Sequence, residues 1–286
     1  MCRHAAYLGP PASLRSLLID PPYSLYRQAW APRRQRYGTV NADGFGIGWY
    51  APGDPVPARY RRGEPIWGDE SLPDLARVTR SGAVLAAVRS ATAGMATGAQ
   101  AAAPFGAGPW LFSHNGAARD WRDWAGTAAA LARPGSDGAG DDGQHPDAGP
   151  WPALLSSLEA LVDSAFLWTL VLARLRAGDV PGDALDAVIG AVTAAGGTGR
   201  FNFLLTDGHT VAATACGDTL WYRRADGSVT VASEPSDDEP GWTEVPDQHQ
   251  LTATPAGVTV RPLSPPGQLV SERTDSDVST EGIVTA

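Results

Sequence analysis

Cys2 has the most chemistry to offer. Removal of an initiator methionine is favoured before a small residue, and it would leave the Cys2 thiol and a free α-amine on one carbon. An α-amine titrates near 7.7 to 8.0, so part of it is free base at neutral pH and can take the thiol proton directly or through one water. Nucleophile and base then sit in a single residue. Read alone, a buried thiol serving as a small hydrophobe is the commoner role for such a cysteine. All 22 basic side chains are arginine. With no lysine, a Schiff-base enzyme, a pyridoxal-phosphate lysine and a P-loop lysine are excluded, and any catalytic amine has to be the chain's own terminus. The five histidines (His4, His114, His145, His209 and His249) have no HxxxH or CxxC spacing around them, so neither a metal nor any other cofactor is expected.

Other polar residues stand where ordinary structure also wants them. Arg89 follows the apolar run 83–88, AVLAAV, which reads as a buried strand and delivers the guanidinium to a strand end, where it faces a site. Asn115-Gly116 is by default a turn. Asp163 interrupts two helical stretches and fits a helix cap. Cys216 falls inside a strand pattern and reads as inert core.

The elements that must position these residues follow from periodicity and breakers. Residues 2–8 form a first strand closed by Gly9-Pro10-Pro11, and Ser13 caps a helix through Ile19 that Asp20-Pro21-Pro22 ends. Paired strands are expected at 45–51 and 58–62, a helix at 72–80, strands at 83–88 and 109–113, and a helix at 118–133. Of the 17 residues 134–150, 12 are Gly, Pro or Asp, which predicts a solvated, mobile insertion. Helices follow at 151–162, from Asp163 to Arg176, and at 181–195. From Arg200 the period switches to two, giving meander hairpins at 201–206, 210–216, 220–224, 229–233 and 257–262. Strands at both ends with helices between them predict an α+β domain of two antiparallel sheets covered by helices, spanning 1–262, with a polar tail at 263–286.

The totals narrow the partner. A formal net charge of −9 repels nucleic acid and anionic membrane surfaces, so the expected partner is a small molecule, with the oligomeric state left open. The longest apolar run, 165–173, is far short of the roughly 20 residues a bilayer requires. Two cysteines, at 2 and 216, make no disulfide framework, and no export signal precedes them, so the cytoplasm is the expected compartment.

Four segments in order carry a resemblance: Met1-Cys2, the stretch NADGFG at 41–46, RSATAG at 89–94 and SHNG at 113–116, with Asp163-Ser164 as a fifth. Together they resemble the class II glutamine amidotransferases, N-terminal-nucleophile hydrolases with a four-layer αββα sandwich. That resemblance implies that Arg89 grips the substrate α-carboxylate with its planar fork, with Thr92 adding a hydroxyl, that Asp163 pairs the α-ammonium together with the Gly116 carbonyl, and that Ser164 also belongs to the substrate site. It also implies that Asn115 and the Gly116 N–H form an oxyanion hole over Cys2. His114 is then structural, because the amine already supplies the base. The stretches CRHAAYLGPP, LLIDPPYSLYRQAWAPR and NADGFGIGWY resemble a free-standing branch of that family in ergothioneine biosynthesis. Its implied activity is hydrolysis of a γ-glutamyl linear amide, through a thioester, to glutamate and an amine that carries a trimethylammonium. Trp30, Tyr37, Trp49, Trp110 and Trp121 are the aromatic candidates for that cation. Two alternatives stay open: a glutaminase subunit delivering ammonia to a separate synthetase, and a scaffold without catalysis.

Overall fold

The structure, a computed structural model, describes residues 2–38, 40–91, 95–133, 158–225 and 227–265. Near the amino end runs a long strand, β1 (Arg3–Ser13), with Ala6 and Leu8 on one face and Tyr7 on the other. It outlasts the expected end at Leu8. Pairing with the neighbouring strand breaks at Gly9, Pro10 and Pro11, where proline has no N–H to give, and resumes at Ala12 and Ser13. Ser13 then caps α1 (Leu14–Leu18), its hydroxyl accepting from the Ser16 amide at 3.1 Å. Ser24 likewise caps α2 (Leu25–Gln28), a single turn too short to show a period in the sequence.

The hairpin β2 (Phe45–Trp49) and β3 (Ala58–Arg62), then α3 (Leu72–Val78) and β4 (Arg80–Val88), follow close to expectation. Next come β5 (Phe105–Ala107) and β6 (Trp110–Arg119), and β6 corrects the sequence reading. It does not stop at Ser113 for an Asn-Gly turn. It continues to Arg119, paired residue by residue with β7 (Thr198–Thr206), Asn115 opposite Asn202 and Gly116 opposite Phe201. The common Asn-Gly hairpin turn needs positive φ at both residues, and neither residue has it. Pairing partners 87 and 85 residues away override the local preference.

Helix α4 (Trp121–Leu131) starts later than expected because β6 takes the residues before it. No helix covers 158–162: Glu159 is drawn instead to Arg59 and Arg61, at 3.0 and 2.6 Å. The rest of the helix expected over 151–162 and the whole 134–150 insertion lie outside the described residues. Val162 is extended and is the N-cap of α5 (Asp163–Arg176), so Asp163 is the first helical residue and not the cap. Helix α6 (Pro181–Ala194) starts on its proline, as a first turn allows.

The remaining strands are β8 (Val211–Ala215), β9 (Trp221–Ala225), β10 (Ser228–Ala232), β11 (Thr243–Glu244), β12 (His249–Ala253) and β13 (Val258–Pro262). They do not form one meander. One sheet has the order β11-β9-β10-β1-β4-β2-β3 and the other β13-β12-β8-β7-β6-β5, so the carboxy-terminal hairpins are divided between two sheets. Ala6, Leu8, Leu85, Leu204, Val229 and Leu251 fill the space between the sheets. Leu14, Leu25 and Leu72 from α1 to α3 pack outside the first sheet. Trp121, Phe166 and Leu185 from α4 to α6 pack outside the second. The result is a four-layer αββα sandwich. Phe166 stacks on Trp121 at 5.2 Å, and removing such a ring from a core costs about 3–5 kcal/mol, so the start of α5 that carries Asp163 is firmly seated. Among the described residues no helix is long and apolar enough to cross a membrane.

Candidate active site

Strand β1 lies between β4 and β10, and this pairing locates Cys2. Arg3 faces Val88, which brings Cys2 level with Arg89 on one side. Ala5 faces Ala232, which brings Ser233 level with His4 and Pro235 level with Cys2 on the other. Ser233 is bonded to β1 twice: its amide donates to the His4 carbonyl at 2.9 Å, and its hydroxyl accepts from the His4 amide at 3.0 Å. Cys2 is half-buried just outside the paired strand.

The 41–46 segment builds the seat of Arg89. Gly44 has φ +122°, a conformation that favours glycine, and its carbonyl accepts from the Arg89 amide at 2.8 Å. Asp43 closes the other side, its amide donating to the Arg89 carbonyl and its carboxylate accepting from the Ala91 amide. The guanidinium is buried and donates from Nη1 to the Asp43 carbonyl and from Nη2 to the Ala96 carbonyl. Two of its five donors are thereby used to hold its plane. Thr92 lies outside the described residues.

Asn115 projects between the sheets. Its Nδ2 donates to the Ser233 hydroxyl at 3.3 Å, the same oxygen that accepts from His4, and its Oδ1 is buried without a partner. A side-chain amide is therefore held level with His4, two residues along the strand from Cys2, with one N–H still to give. Gly116 faces the helices, where a Cβ would collide with the Arg200 carbonyl and the His114 ring, so only glycine fits. The His114 Nε2 donates to the Arg200 carbonyl at 2.8 Å, which fixes the tautomer, and Nδ1 then accepts from Ser164 at 3.0 Å. Burial holds this ring below its usual pKa and so neutral. Asp163 is buried, with Oδ2 accepting from the Ala118 amide and Oδ1 from the Ser164 amide. Its carboxylate still has accepting capacity. Arg89, Asn115 and Cys2 converge at one end of the sandwich, while Gly116, Asp163 and Ser164 gather on the helix side of β6.

His4, Ser113, Ser233 and Asp43 belong to this assembly and were not singled out from the sequence as members of the site. His4, Ser113 and Asp43 stand inside a motif or within two residues of one, and Ser233 lies in the stretch ASEP at 232–235, which resembles a family strand ending and is less specific. The His4 Nδ1 meets the Ser113 hydroxyl at 3.1 Å across the sheets. Burial first, then the charge of Arg3, then His114 lower the His4 pKa to about 3. The folded ring is thus neutral where the unfolded one, near 6.5, takes up a proton. Stability from this source is full above about pH 6.5 and is lost as pH falls towards 3. His4→Asn is expected to flatten the fall of the urea midpoint over that window by one proton, and an unchanged slope would show that His4 does not titrate on unfolding. Cys216 is also buried, and burial raises its thiol pKa, which suits packing and not nucleophilic attack.

The aromatic candidates disperse. Trp121 is core, Tyr37 lies under Arg200, Trp30 packs on Tyr26 and Trp67, and Trp49 and Trp110 lie against separate cores. Trp221 and Trp242, which the sequence did not single out, line a groove with Arg33, Arg34 and Pro235.

No protein-family model matches the chain. A γ-glutamyl-hercynylcysteine sulfoxide hydrolase of Mycolicibacterium smegmatis is 40% identical over 263 residues, which covers 92% of this chain and 100% of the relative. The chain belongs to the γ-glutamyl-hercynylcysteine sulfoxide hydrolase family. A hydrolase of the same name from Mycobacterium tuberculosis is 40% identical and is covered over 97% of its length. The solved structure of a glutamine aminotransferase class-II domain protein from Silicibacter pomeroyi aligns with TM-score 0.62 and 25% identity, over 92% of this chain and 100% of that one. A Bacillus subtilis phosphoribosylpyrophosphate amidotransferase shares the fold at TM-score 0.57 and 15% identity, over 92% of this chain and 49% of its own. Members of the hydrolase family thus have the αββα sandwich of the class II amidotransferases.

Proposed function

We propose that the chain hydrolyses the γ-glutamyl amide of γ-glutamyl-hercynylcysteine sulfoxide, releasing glutamate, with residues 1–262 as the catalytic domain and the cytoplasm as its place of work. The observation that carries this reading is the shared Ser233 hydroxyl, which ties the Asn115 amide to the backbone beside Cys2. With Met1 removed, the α-amine of Cys2 takes the thiol proton and the sulfur attacks the scissile carbonyl. The second N–H of Asn115 and the Gly116 N–H stabilise the oxyanion. The ammonium returns its proton to the leaving amine, a glutamyl thioester stays on Cys2, and a water activated by the same amine releases glutamate.

Arg89 and Thr92 receive the α-carboxylate and Asp163 the α-ammonium, so the glutamyl unit is fixed at both ends. Ser164 acts through its bonds to His114 and Asp163, keeping that carboxylate aimed. No metal or cofactor takes part. The mycobacterial relatives are named as hydrolases of a γ-glutamyl substrate, which disfavours the ammonia-delivering alternative. The test is glutamate release from the γ-glutamyl sulfoxide substrate against L-glutamine at equal concentration. Faster turnover of L-glutamine would overturn the reading.

Arg89→Lys is expected to raise KM by about tenfold or more, because lysine has no planar fork for a carboxylate and cannot also span the Asp43 and Ala96 carbonyls. Steady-state kinetics check this, and unchanged KM would take Arg89 out of the substrate site.

A further inference from the structure

Arg3 follows the nucleophile directly and has no part in the chemistry above. Its side chain is fully buried, and none of its three guanidinium nitrogens has a hydrogen-bond partner. The nearest acid is Asp218, with 3.9 Å between Nη1 and Oδ1, too far for a hydrogen bond. Asp218 is equally buried, and its Oδ2 has no partner either. Glu234 comes level with Arg3 on the β10 side, but its oxygens already accept from the Arg33 and Arg34 amides at 2.9 and 2.7 Å. A guanidinium stays charged in a protein, so β1 carries a buried cation that its neighbours balance in charge but do not bind. Well-packed apolar side chains often replace such a buried pair without loss of stability, so packing alone does not call for Arg3.

The cation and Cys2 feel one another. Burial lowers the Arg3 pKa, the charges of Asp218, Glu234 and Cys2 raise it, in that order, and Arg36 lowers it. The other charged groups around Cys2 are Arg89 with Asp43 at the end of β4, and Asp163 on the helix side of β6. His4 and His114 are buried, and burial keeps both neutral. Arg3 is joined to the reacting residue by one peptide bond, and a buried charge is screened far less than one in water.

We propose that Arg3 is a positioning residue that sets the proton on the Cys2 amine: its buried charge penalises an ammonium there, so more of the enzyme starts its cycle with that amine as the free base. This rests on the hydrolase reading above. Moving the thiol proton to the amine leaves the net charge of Cys2 unchanged. The cation therefore acts earlier, on the share of molecules ready to begin. A neighbouring positive charge moves an amine pKa down, so activity that needs the free base persists to lower pH.

The experiment follows kcat/KM for γ-glutamyl-hercynylcysteine sulfoxide against pH, whose acid limb reports the base of the free enzyme. Arg3→Met removes the charge and is expected to move that limb up by about one pH unit, whereas Arg3→Lys keeps the charge and leaves the limb in place. Asp218→Asn removes the counter-charge, retains the oxygen that accepts from the Thr219 amide at 2.9 Å, and is expected to move the limb down. A merely structural role would lower stability and leave the limb where it was. An unmoved limb in Arg3→Met, or an equal shift in Arg3→Lys, would overturn the proposal. If Arg3→Met does not fold, Asp218→Asn decides, and an unmoved limb there overturns it. If the wild-type chain hydrolyses no γ-glutamyl substrate, it is the hydrolase reading that fails, and the amine is titrated directly. The chain has no lysine, so with Met1 removed the α-amine of Cys2 is its one primary amine. Its rate of acetylation against pH, read from the mass of the amino-terminal peptide, gives its pKa. A higher pKa in Arg3→Met or a lower one in Asp218→Asn supports the role of Arg3; an unchanged pKa in both, or a retained Met1, overturns it.

Discussion

Cys2→Ala is expected to remove turnover of the γ-glutamyl amide by roughly 10⁴-fold or more, while the urea midpoint stays at the wild-type value. The large effect follows from the double duty of the residue: the thiol forms the covalent bond, and no other described cysteine can replace it, since Cys216 is buried with a raised thiol pKa. The small structural effect follows from position. Cys2 is half-buried and precedes the first paired residue of β1, so the strand keeps its bonds to β4 and β10 without the sulfur. Glutamate release above about one per cent of wild type would remove Cys2 from the chemistry. Intact mass gives a companion readout, because active enzyme that retains Met1 would have no free amine on Cys2.

Asn115→Ala is expected to lower kcat by about 10² to 10³ with little change in KM, the signature of a donor that acts on developing charge. The split between the two constants separates this role from a merely structural one. Losing the bond to Ser233 costs stability by about 1 kcal/mol, which chemical denaturation reads independently. A rise in KM with kcat intact would place Asn115 in ground-state binding instead and would undo the proposed oxyanion site.

Local chemistry read well from the residues where it decides structure locally. Ser13 caps its helix, Gly44 turns the chain in front of Arg89, and apolar alternation sets the β2–β3 hairpin. Reading failed where a distant partner decides. Asn115-Gly116 has the composition of a turn, yet β7 recruits it into a strand. Glu159 stands in a stretch whose composition predicts a helix, yet Arg59 and Arg61 draw it elsewhere. The aromatic groove went unseen for the same reason: Trp221 and Trp242 come to line it only when β9 and β11 pair, and nothing in their own neighbourhood signals that. The site residues were recoverable as motifs, but Ser233, which connects two of them, stands in the less specific stretch ASEP at 232–235 and was not assigned a role.

The contact between His4 and Ser233 joins residues separated by 229 positions. A ribosome adds about 5–20 residues per second, so roughly ten to fifty seconds pass between the emergence of Cys2 and that of the strand that completes its surroundings. Throughout that interval the amino end lacks its β10 partner and the Ser233 hydroxyl, although β4 is already available to pair with β1. Birth order thus keeps the nucleophile latent. A chain released before residue 233 would carry the cysteine without the Ser233 hydroxyl that links the Asn115 amide to the backbone of His4.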